Sequence, residues 1–511
     1  MKKQSLFLRM LMLALALAML VSTFAACAAE DDDGGDGAGS SAVAGESEGE
    51  GATGGGEVEV ETDENGYPVD NLPGDLKFDT TVRILGVKEY THQFYMKEED
   101  VGDDLVAKSI YDRNMTVEER LGVELEWDFA EGEWGTRATF LQAVSAACEA
   151  DPYDAMICYN LVPYMLAQQG LCADLYTEES YIDFSAPWWP QSQVEQLLVN
   201  DTMYAVTESN DKGLLANMMA MFFNNTLLEA RGLESPYDLV KSNEWTVEKF
   251  STMIKDTYED KNGDGKADSG DIYGFINATT SKSDSWFYAL GYRLSEKVGD
   301  EVVSYVNDSK IQEYVDRMVT FYDSKDIMLA DTKDYGGIGQ GQLFYNENAY
   351  FYNGATYMGQ PANDKNINFG VVPMPKLNSQ QERYYTHLSN TYDTWCVSFN
   401  AGDMELSSAV LECMASESFR QIGPMYYDTN IKLRYAPDER LSEMYDLVRD
   451  SVTFDLIYLY TCAYADANNA PKEIVKWCTL KSGTYNWSSK LATYKTTWDE
   501  GFGAILATYV K

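Results

Sequence analysis

Between residues 81 and 158 the hydrophobic period switches back and forth, and that alternation constrains the fold more than any other feature of the chain. Residues 81–87 (TVRILGV) form a short β-rich run. Leu105, Val106, Ile110, Val117 and Leu121 then recur at near-helical spacing, and residues 123–127 (VELEW) alternate as a strand does. Phe140, Val144 and Cys148 mark a second helix, broken by Asp151-Pro152, and residues 155–158 (AMIC) read as a buried strand. The order β-α-β-α-β predicts a parallel sheet covered by helices. Open sheets of that kind bind ligands at the carboxyl ends of their strands. That places weight on Lys88, Glu89 and Tyr90 after the first strand, and on Tyr159 and Asn160 after the third.

The first 76 residues do not share this pattern. Lys2, Lys3 and Arg9 precede the uncharged run 10–26, which stops at Phe24-Ala25-Ala26-Cys27. A basic start, an apolar run and small residues before a cut are the parts of a secretory signal. The run barely reaches the roughly 18–20 apolar residues that a membrane span needs. Cys27 after the small residues resembles a bacterial lipobox, which implies a signal peptide over 1–26 and a palmitate-type lipid on Cys27. From residue 28 to residue 70 there are fourteen acidic residues, no Lys or Arg, and many Gly, Ala and Ser. Such a segment buries too little apolar surface to offset its ordering entropy. Residues 27–76 are therefore expected to be a disordered, extended tether.

The remainder is too large for one small core and suggests two lobes. A net charge of −43 argues against nucleic acid, whose phosphates need clustered Lys and Arg. Besides Cys27 there are Cys148, Cys158, Cys172, Cys396, Cys413, Cys462 and Cys478, in no CxxC or zinc spacing. An odd number leaves at least one thiol unpaired, and most read as small buried apolar residues. With only His92 and His387, triads and His-metal chemistry have little material. No Gly-x-Ser-x-Gly elbow, Walker loop or GxGxxG after a strand is present. No catalytic residue and no enzymatic activity are expected. Glycoside hydrolysis needs only two carboxylates, and 82 acidic residues keep that class open.

The sharpest local motif runs from residue 260 to residue 271. Asp260, Asn262, Asp264, Asp268 and Asp271 fall at loop positions 1, 3, 5, 9 and 12, with Gly265 at 6 and the Lys266 carbonyl at 7. This spacing supplies hard oxygens for one structural Ca²⁺, with Asp271 in place of the usual bidentate Glu. It resembles the calcium loops of dockerins and of some sugar-binding proteins. A helix over 247–255, capped by Thr246 with Val247, Phe250 and Ile254 inward, should lead into it.

Other segments carry a wider resemblance. Residues 153–159 (YDAMICY), 170–175 (GLCADL), Pro187-Trp188-Trp189, Met203-Tyr204, Phe222-Phe223-Asn224 and 369–376 (FGVVPMPK) follow in order, then a helix after Gly402 with Leu406, Ala409, Val410 and Cys413 inward. Together they resemble the extracellular solute-binding lipoproteins of ABC-type sugar importers, over residues 77–511. Glu208-Ser209-Asn210-Asp211 stands where many relatives show Gly-Asp. The resemblance implies an α/β, two-lobed periplasmic-binding-protein-like fold. Each lobe would be a mainly parallel sheet with flanking helices, and a hinge would join them. The N-lobe would comprise 77–207 and 376–420, and the C-lobe 208–375 and 421–511, with crossings near 207–211 and 372–376.

The implied ligand is an oligosaccharide or other small solute, delivered to ABC permease subunits by a monomer. A lipid on the extracellular face of a Gram-positive-type cell membrane would be its only membrane contact. Aromatic faces and planar polar groups suit sugars, and 36 Tyr and 10 Trp exceed what a core needs. The candidate ligand contacts are Glu89, Tyr159, Asn160, Asn210, Asp211, Trp286, Tyr392 and Trp395, each of which could equally be core. A surface-tethered glycoside hydrolase and a polysaccharide-binding adhesion lipoprotein are the alternatives.

Overall fold

The computed structural model describes residues 61–330, 340–434, 439–464 and 466–510. The expected signal 1–26, Cys27 and the tether up to residue 60 lie outside the described residues. Residues 61–69 belong to a unit of their own, in which Asp63 Oδ1 accepts from Asn65 N and Tyr67 N at 2.8 and 2.9 Å. The unit from Asp70 onward holds everything below. It begins earlier than the expected end of the tether at residue 76. Asp70 is the buried counter-ion of Arg120, and Leu72 lies in the core.

The described strands are β1 (Thr80–Val87), β2 (Val123–Ala130), β3 (Ala155–Tyr159), β4 (Met219–Asn224), β5 (Tyr273–Ala278), β6 (Ser295–Val298), β7 (Glu301–Ser304), β8 (Ile327–Ala330), β9 (Ala349–Ala355), β10 (Phe369–Val372) and β11 (Asp393–Cys396). The first lobe is built on the sheet β11-β3-β1-β2, the second on β10-β4-β9-β5-β8, and β6-β7 form a hairpin. In the first sheet β1 runs parallel to β2 and β3, as the alternating periods predict, and β11 closes the edge antiparallel to β3. In the second, β5 is parallel to β8 and β9, while β4 is antiparallel to β9 and β10. Every residue of β3 and of β4 is buried, as strands covered on both faces require.

Local chemistry sets the boundaries. Asp104 accepts from Val106 N and Ala107 N to start helix Leu105–Leu121, which stops at Gly122 with φ 63°. That left-handed position favours a residue without Cβ. Thr246 accepts from Lys249 N to start helix Val247–Ile254, whose Val247, Phe250 and Ile254 are buried. Helix Met404–Glu417 buries Leu406, Ala409, Val410 and Cys413. All seven cysteines of the described residues are free thiols, five of them buried.

Two strands of chain cross between the lobes side by side. Val206 bridges Trp395 at one end and Met218 bridges Leu388 at the other. The second crossing thus falls after residue 388, not at 372–376. Lys376 stays with the second lobe, because its N–H bonds Trp245 O (3.1 Å) and its carbonyl accepts from Val247 N (2.8 Å). Segment Ser418–Arg434 also departs from the expected division at residue 420. It lies along helix Leu105–Leu121 of the first lobe, where Arg113 Nη1 donates to Ser418 Oγ (2.9 Å) and Gln421 Nε2 to Thr116 Oγ1 (3.2 Å). The C-terminal helices touch both lobes. Pro471–Leu480 packs on Ser309–Tyr322 of the second, and Tyr460 lies edge-on to Tyr164 of the first at 5.1 Å.

Candidate functional site

The carboxyl ends of β1 and β3 and the start of β11 meet at one place in the first lobe. Asp393, the first residue of β11, is the register partner of Tyr159, the last of β3. After β1, Tyr90 stacks on Tyr159 at 6.3 Å and 25°. Burial, then Glu133, Glu89 and Asp393, push the Tyr90 hydroxyl up to about 12. Asn160 is fully buried beside the Tyr392 hydroxyl, which interacts with it, but neither its amide nitrogen nor its oxygen makes a hydrogen bond of good geometry. Both Asp393 carboxylate oxygens are likewise buried and unpartnered. Burial and the neighbouring Asp211 and Glu208 hold Asp393 well above the usual carboxylate range, against Arg113 and Lys212. Gln93 donates to Thr391 O (3.2 Å), but its Oε1 has no donor.

On the other side of the crossing loop the polar groups are paired. The Tyr458 hydroxyl lies 2.7 Å from Asn390 Oδ1, 3.3 Å from Asp284 Oδ2 and 3.2 Å from His387 Nε2. Lys472 Nζ stands 3.5 Å from Asp284 Oδ2 and 2.8 Å from Glu473 Oε1, and Lys476 Nζ is 2.6 Å from Glu473 Oε2. The two ammonium groups hold Glu473 at about 2 despite its burial. Burial, with Lys472 and Arg293, pushes His387 down to about 3, so it is neutral.

The sequence-predicted ligand contacts divide sharply. Tyr159 and Asn160 belong to the unpaired patch, and Tyr392, next to Asp393, is buried beside it. Glu89 borders it, accepting from Gly132 N and Thr136 Oγ1 at 3.0 Å each. The remaining four are structural. Trp286 is wholly buried with Phe250, Phe275 and Phe321 at 5.2–5.7 Å, and its Nε1 donates to Asn277 Oδ1 (3.0 Å). It is core because β5 and two helices close over it. Trp395 donates to Glu208 Oε1 (2.7 Å) and packs against Trp127 at 6.4 Å, so its indole offers no free platform. Asp211 caps helix Lys212–Ala216 through Leu214 N (2.8 Å), and burial beside Glu208 pushes it up to about 7. Asn210 donates to Phe419 O (3.4 Å).

Sequence reasoning missed Tyr90 as a stacking partner and Gln93 and Asn390 altogether, and it met Asp393 only as part of the candidate run Tyr392-Asp393-Thr394-Trp395, with Tyr392 and Trp395 chosen from it. The one available signal was an Asp inside the otherwise uncharged run Tyr392-Asp393-Thr394-Trp395-Cys396. Trp188 and Trp189 both point their indole N–H groups at Glu412, at 3.0 Å each. Burial pushes Glu412 up to about 8, and these donors, with Asp183 N, hold it from rising further.

The loop 260–271 is closed by its own amides. Asp260 accepts from Gly263 N (2.7 Å) and Gly265 N (2.9 Å), Asn262 from Asp264 N (2.9 Å), Asp264 from Lys266 N (2.8 Å) and Asp268 from Gly270 N (2.7 Å). Buried Asp271 accepts from Tyr258 OH (2.9 Å), while the Lys266 carbonyl is 3.4 Å from the same hydroxyl. Among the described residues no three His, Cys, Asp or Glu side chains converge as a metal-ligand group.

The strand-end patch therefore offers acceptors on Gln93, Asn160 and Asp393, a donor on Asn160, and tyrosine rings beside them. Buried polar atoms without partners are costly, and a polyhydroxylated ligand would supply both donors and acceptors. No family model and no curated protein matches the sequence. Solved structures do match, over nearly their whole length. A maltose/maltodextrin-binding domain from Bdellovibrio bacteriovorus bound to maltotriose is 13% identical, covers 83% of this chain and 99% of its own, and has a TM-score of 0.51. An ABC substrate-binding protein from Listeria monocytogenes in complex with cycloalternan is 13% identical over 83% and 99%, with a TM-score of 0.52. A cyclo/maltodextrin-binding protein complexed with maltotetraose is 10% identical over 84% and 98%, also at 0.52. At such identities the likeness is one of fold: the two-lobed α/β fold of solute-binding proteins.

Proposed function

We propose that this protein is an extracellular solute-binding protein that captures a carbohydrate between its lobes and passes it to an ABC permease. The observation that carries the reading is the concentration of buried, unpartnered polar atoms on Gln93, Asn160 and Asp393 beside the Tyr90–Tyr159 stack. The fold supports it, and the proteins of that fold named above hold maltotriose, cycloalternan and maltotetraose. The ligand drives closure only by binding the closed state better than the open one. The paired network of Asp284, Asn390, Tyr458 and Lys472 would hold the far side rigid while hydroxyls satisfy the near side. The protein is read as a binder rather than an enzyme.

Anchoring belongs to the same proposal. Its support is the sequence alone: Cys27 after Phe24-Ala25-Ala26 would carry the lipid and hold the protein on the outer face of the cell membrane. One Ca²⁺ in the loop 260–271 is also proposed from spacing. Each carboxylate that accepts an amide keeps further lone pairs, but binding would have to redirect Asp260, Asp264, Asp268 and Asp271 toward one point.

The test is calorimetry of the tether-free domain against oligosaccharides, paired with small-angle scattering. A bound oligosaccharide that shrinks the protein and is recovered uncleaved supports the reading. New reducing ends would replace it with glycoside hydrolysis, and binding without compaction with adhesion.

A further inference from the structure

A second polar pocket shares no residue with the strand-end patch. Tyr292, Arg293, Glu296, Lys310, Arg383 and Tyr385 line most of it, around a volume of about 160 Å³. Arg293 Nη1 donates to Tyr292 O (2.7 Å) and Tyr288 O (3.2 Å), which fixes the guanidinium in place. Its carbon lies 4.1 Å from the centre of the Tyr385 ring, and that of Arg383 lies 5.0 Å from the same ring. Two guanidinium groups are thus gathered on one tyrosine, with Lys310 nearby.

The counter-charge is remote: Glu296 lines the pocket, and it and Asp455 act on Arg293 only through space. Among the described residues no carboxylate lies within ion-pairing distance of Arg293, Arg383 or Lys310. The neighbouring acids are engaged elsewhere. Asp455 accepts from Leu294 N (2.8 Å), Ser295 N (3.1 Å) and Ser295 Oγ (2.7 Å), and Glu296 accepts from Tyr305 OH (3.1 Å). In a chain with 82 acidic and 39 basic residues, a pocket lined by three cations and the one carboxylate Glu296 runs against the composition. Arg293 is half-buried, whereas Arg383 and Lys310 are exposed at the rim.

We propose that this pocket binds a small solute through an oxyanion group, carboxylate or phosphate, held between Arg293 and Arg383. A guanidinium has five donors in a planar fork. Arg293 uses Nη1 on the two carbonyls, which leaves Nε and Nη2 for a bidentate contact with an oxyanion. Arg383, which makes no hydrogen bond through its guanidinium within the described residues, closes the other side. The site stands independently of the carbohydrate reading, because it recognises charge and not hydroxyls.

The experiment titrates the full chain at low salt with glucuronate, glucose 6-phosphate and glucose, by calorimetry. Both anions should bind and glucose should not, and raising the salt should weaken binding as the partly exposed charges are screened. Arg383→Met should weaken the anions at least tenfold. Since its side chain supports no backbone, that variant should fold even where Arg293→Met does not. Arg293→Lys keeps the charge but loses the fork, and should weaken them several-fold. Preference for glucuronate assigns a carboxylate, and preference for glucose 6-phosphate a phosphate. Equal binding of glucose, absence of anion binding, or anion affinity unchanged in Arg383→Met overturns the proposal. Binding of a neutral oligosaccharide should be unaffected in Arg383→Met, which separates this site from the strand-end patch.

Discussion

Trp286 in the second lobe and the Tyr90–Asn160–Asp393 patch in the first sit at comparable places, each just beyond the carboxyl end of a strand. Around Trp286 every ring meets another ring, and the single indole N–H is taken by Asn277. Around Asp393 two aromatic rings stack, but the buried oxygens and amides next to them have no partner. Aromatic content is therefore no guide to where a ligand binds. Unpaired buried amides and carboxyls beside rings, rather than rings alone, mark the place to look for a ligand.

The largest expected effect tests the core side of that contrast. Trp286→Ala should destabilise the protein by about 3–5 kcal/mol, the range for deleting a buried Trp, and also leave Asn277 Oδ1 without its donor. Chemical denaturation measures it. Any molecules still folded should bind ligand with unchanged affinity. A stable Trp286→Ala that loses ligand would put the tryptophan in the site and dissolve the contrast.

The patch should behave in the opposite way. Asp393→Asn swaps a buried carboxyl already held toward its neutral form for an uncharged amide of the same shape, so its melting temperature should be unchanged or higher. Affinity for the bound sugar should fall by about 1–3 kcal/mol, because an NH2 donor stands where one of the two carboxyl oxygens met a hydroxyl. Asn160→Ala should do the same with a similar size. Calorimetry and thermal melts on the same samples decide it. If both variants melt low and bind normally, these side chains are simply core with water among them.

The difference between the two regions also explains what the sequence disclosed. The βαβαβ order was legible because hydrophobic period is local, and so was the Thr246-capped helix, since an N-cap and an inward stripe lie within one turn or two of each other. Tyr159 and Asn160 were legible as strand-end residues. Asp393 was legible only as a member of the run Tyr392–Trp395, and its unpaired burial was not, because its neighbours Tyr159 and Arg113 reach it only through pairing across hundreds of residues. Trp286 and Trp395 misled because an aromatic beside polar residues has the same local pattern in a core as in a cleft. Lys376 misplaced the second crossing for a similar reason: its partners are the peptide groups of Trp245 and Val247.

A pH titration sharpens the comparison next. Burial lifts Glu412 from 4.5 to about 8 and Asp211 from 3.8 to about 7. In the fold both therefore hold protons that the unfolded chain releases, so stability should rise as pH falls from 8 toward 5. Two groups oppose this at lower pH. His387, lowered from 6.5 to about 3, makes the unfolded chain bind the extra proton below 6.5. Glu473, lowered from 4.5 to about 2, loses its ion pairs as pH falls through that range. Denaturant midpoints should be highest at about pH 4.5–5, with a change of at most about 5 kcal/mol between pH 8 and the optimum. Glu412→Gln should flatten the limb above pH 6.5, although it leaves one tryptophan N–H without an acceptor. A stability that climbs steadily from pH 6 to pH 8 would contradict burial as the dominant influence on Glu412 and Asp211.

The smallest effect belongs to the loop 260–271, which resembles the core in being internally paired and the patch in being proposed to bind. Its carboxylates already accept Gly263, Gly265, Lys266 and Gly270 amides, so a cation must compete with an arrangement that is complete without it. Asp271, held by Tyr258 and by Lys261 N at 3.2 Å, is shorter than the Glu that would reach a cation bidentately. Affinity should accordingly be modest. At about five times its dissociation constant, Ca²⁺ that binds only the folded state adds about 1 kcal/mol, readable as a small rise in melting temperature that a chelator reverses. Asp264→Ala should abolish that rise while barely moving the apo melting temperature, since Asp264 is exposed and accepts only from Lys266 N. A melting temperature indifferent to both calcium and chelator would make the loop a hydrogen-bonded turn. The contrast between complete and incomplete polar groups would then predict binding at every place where it was applied.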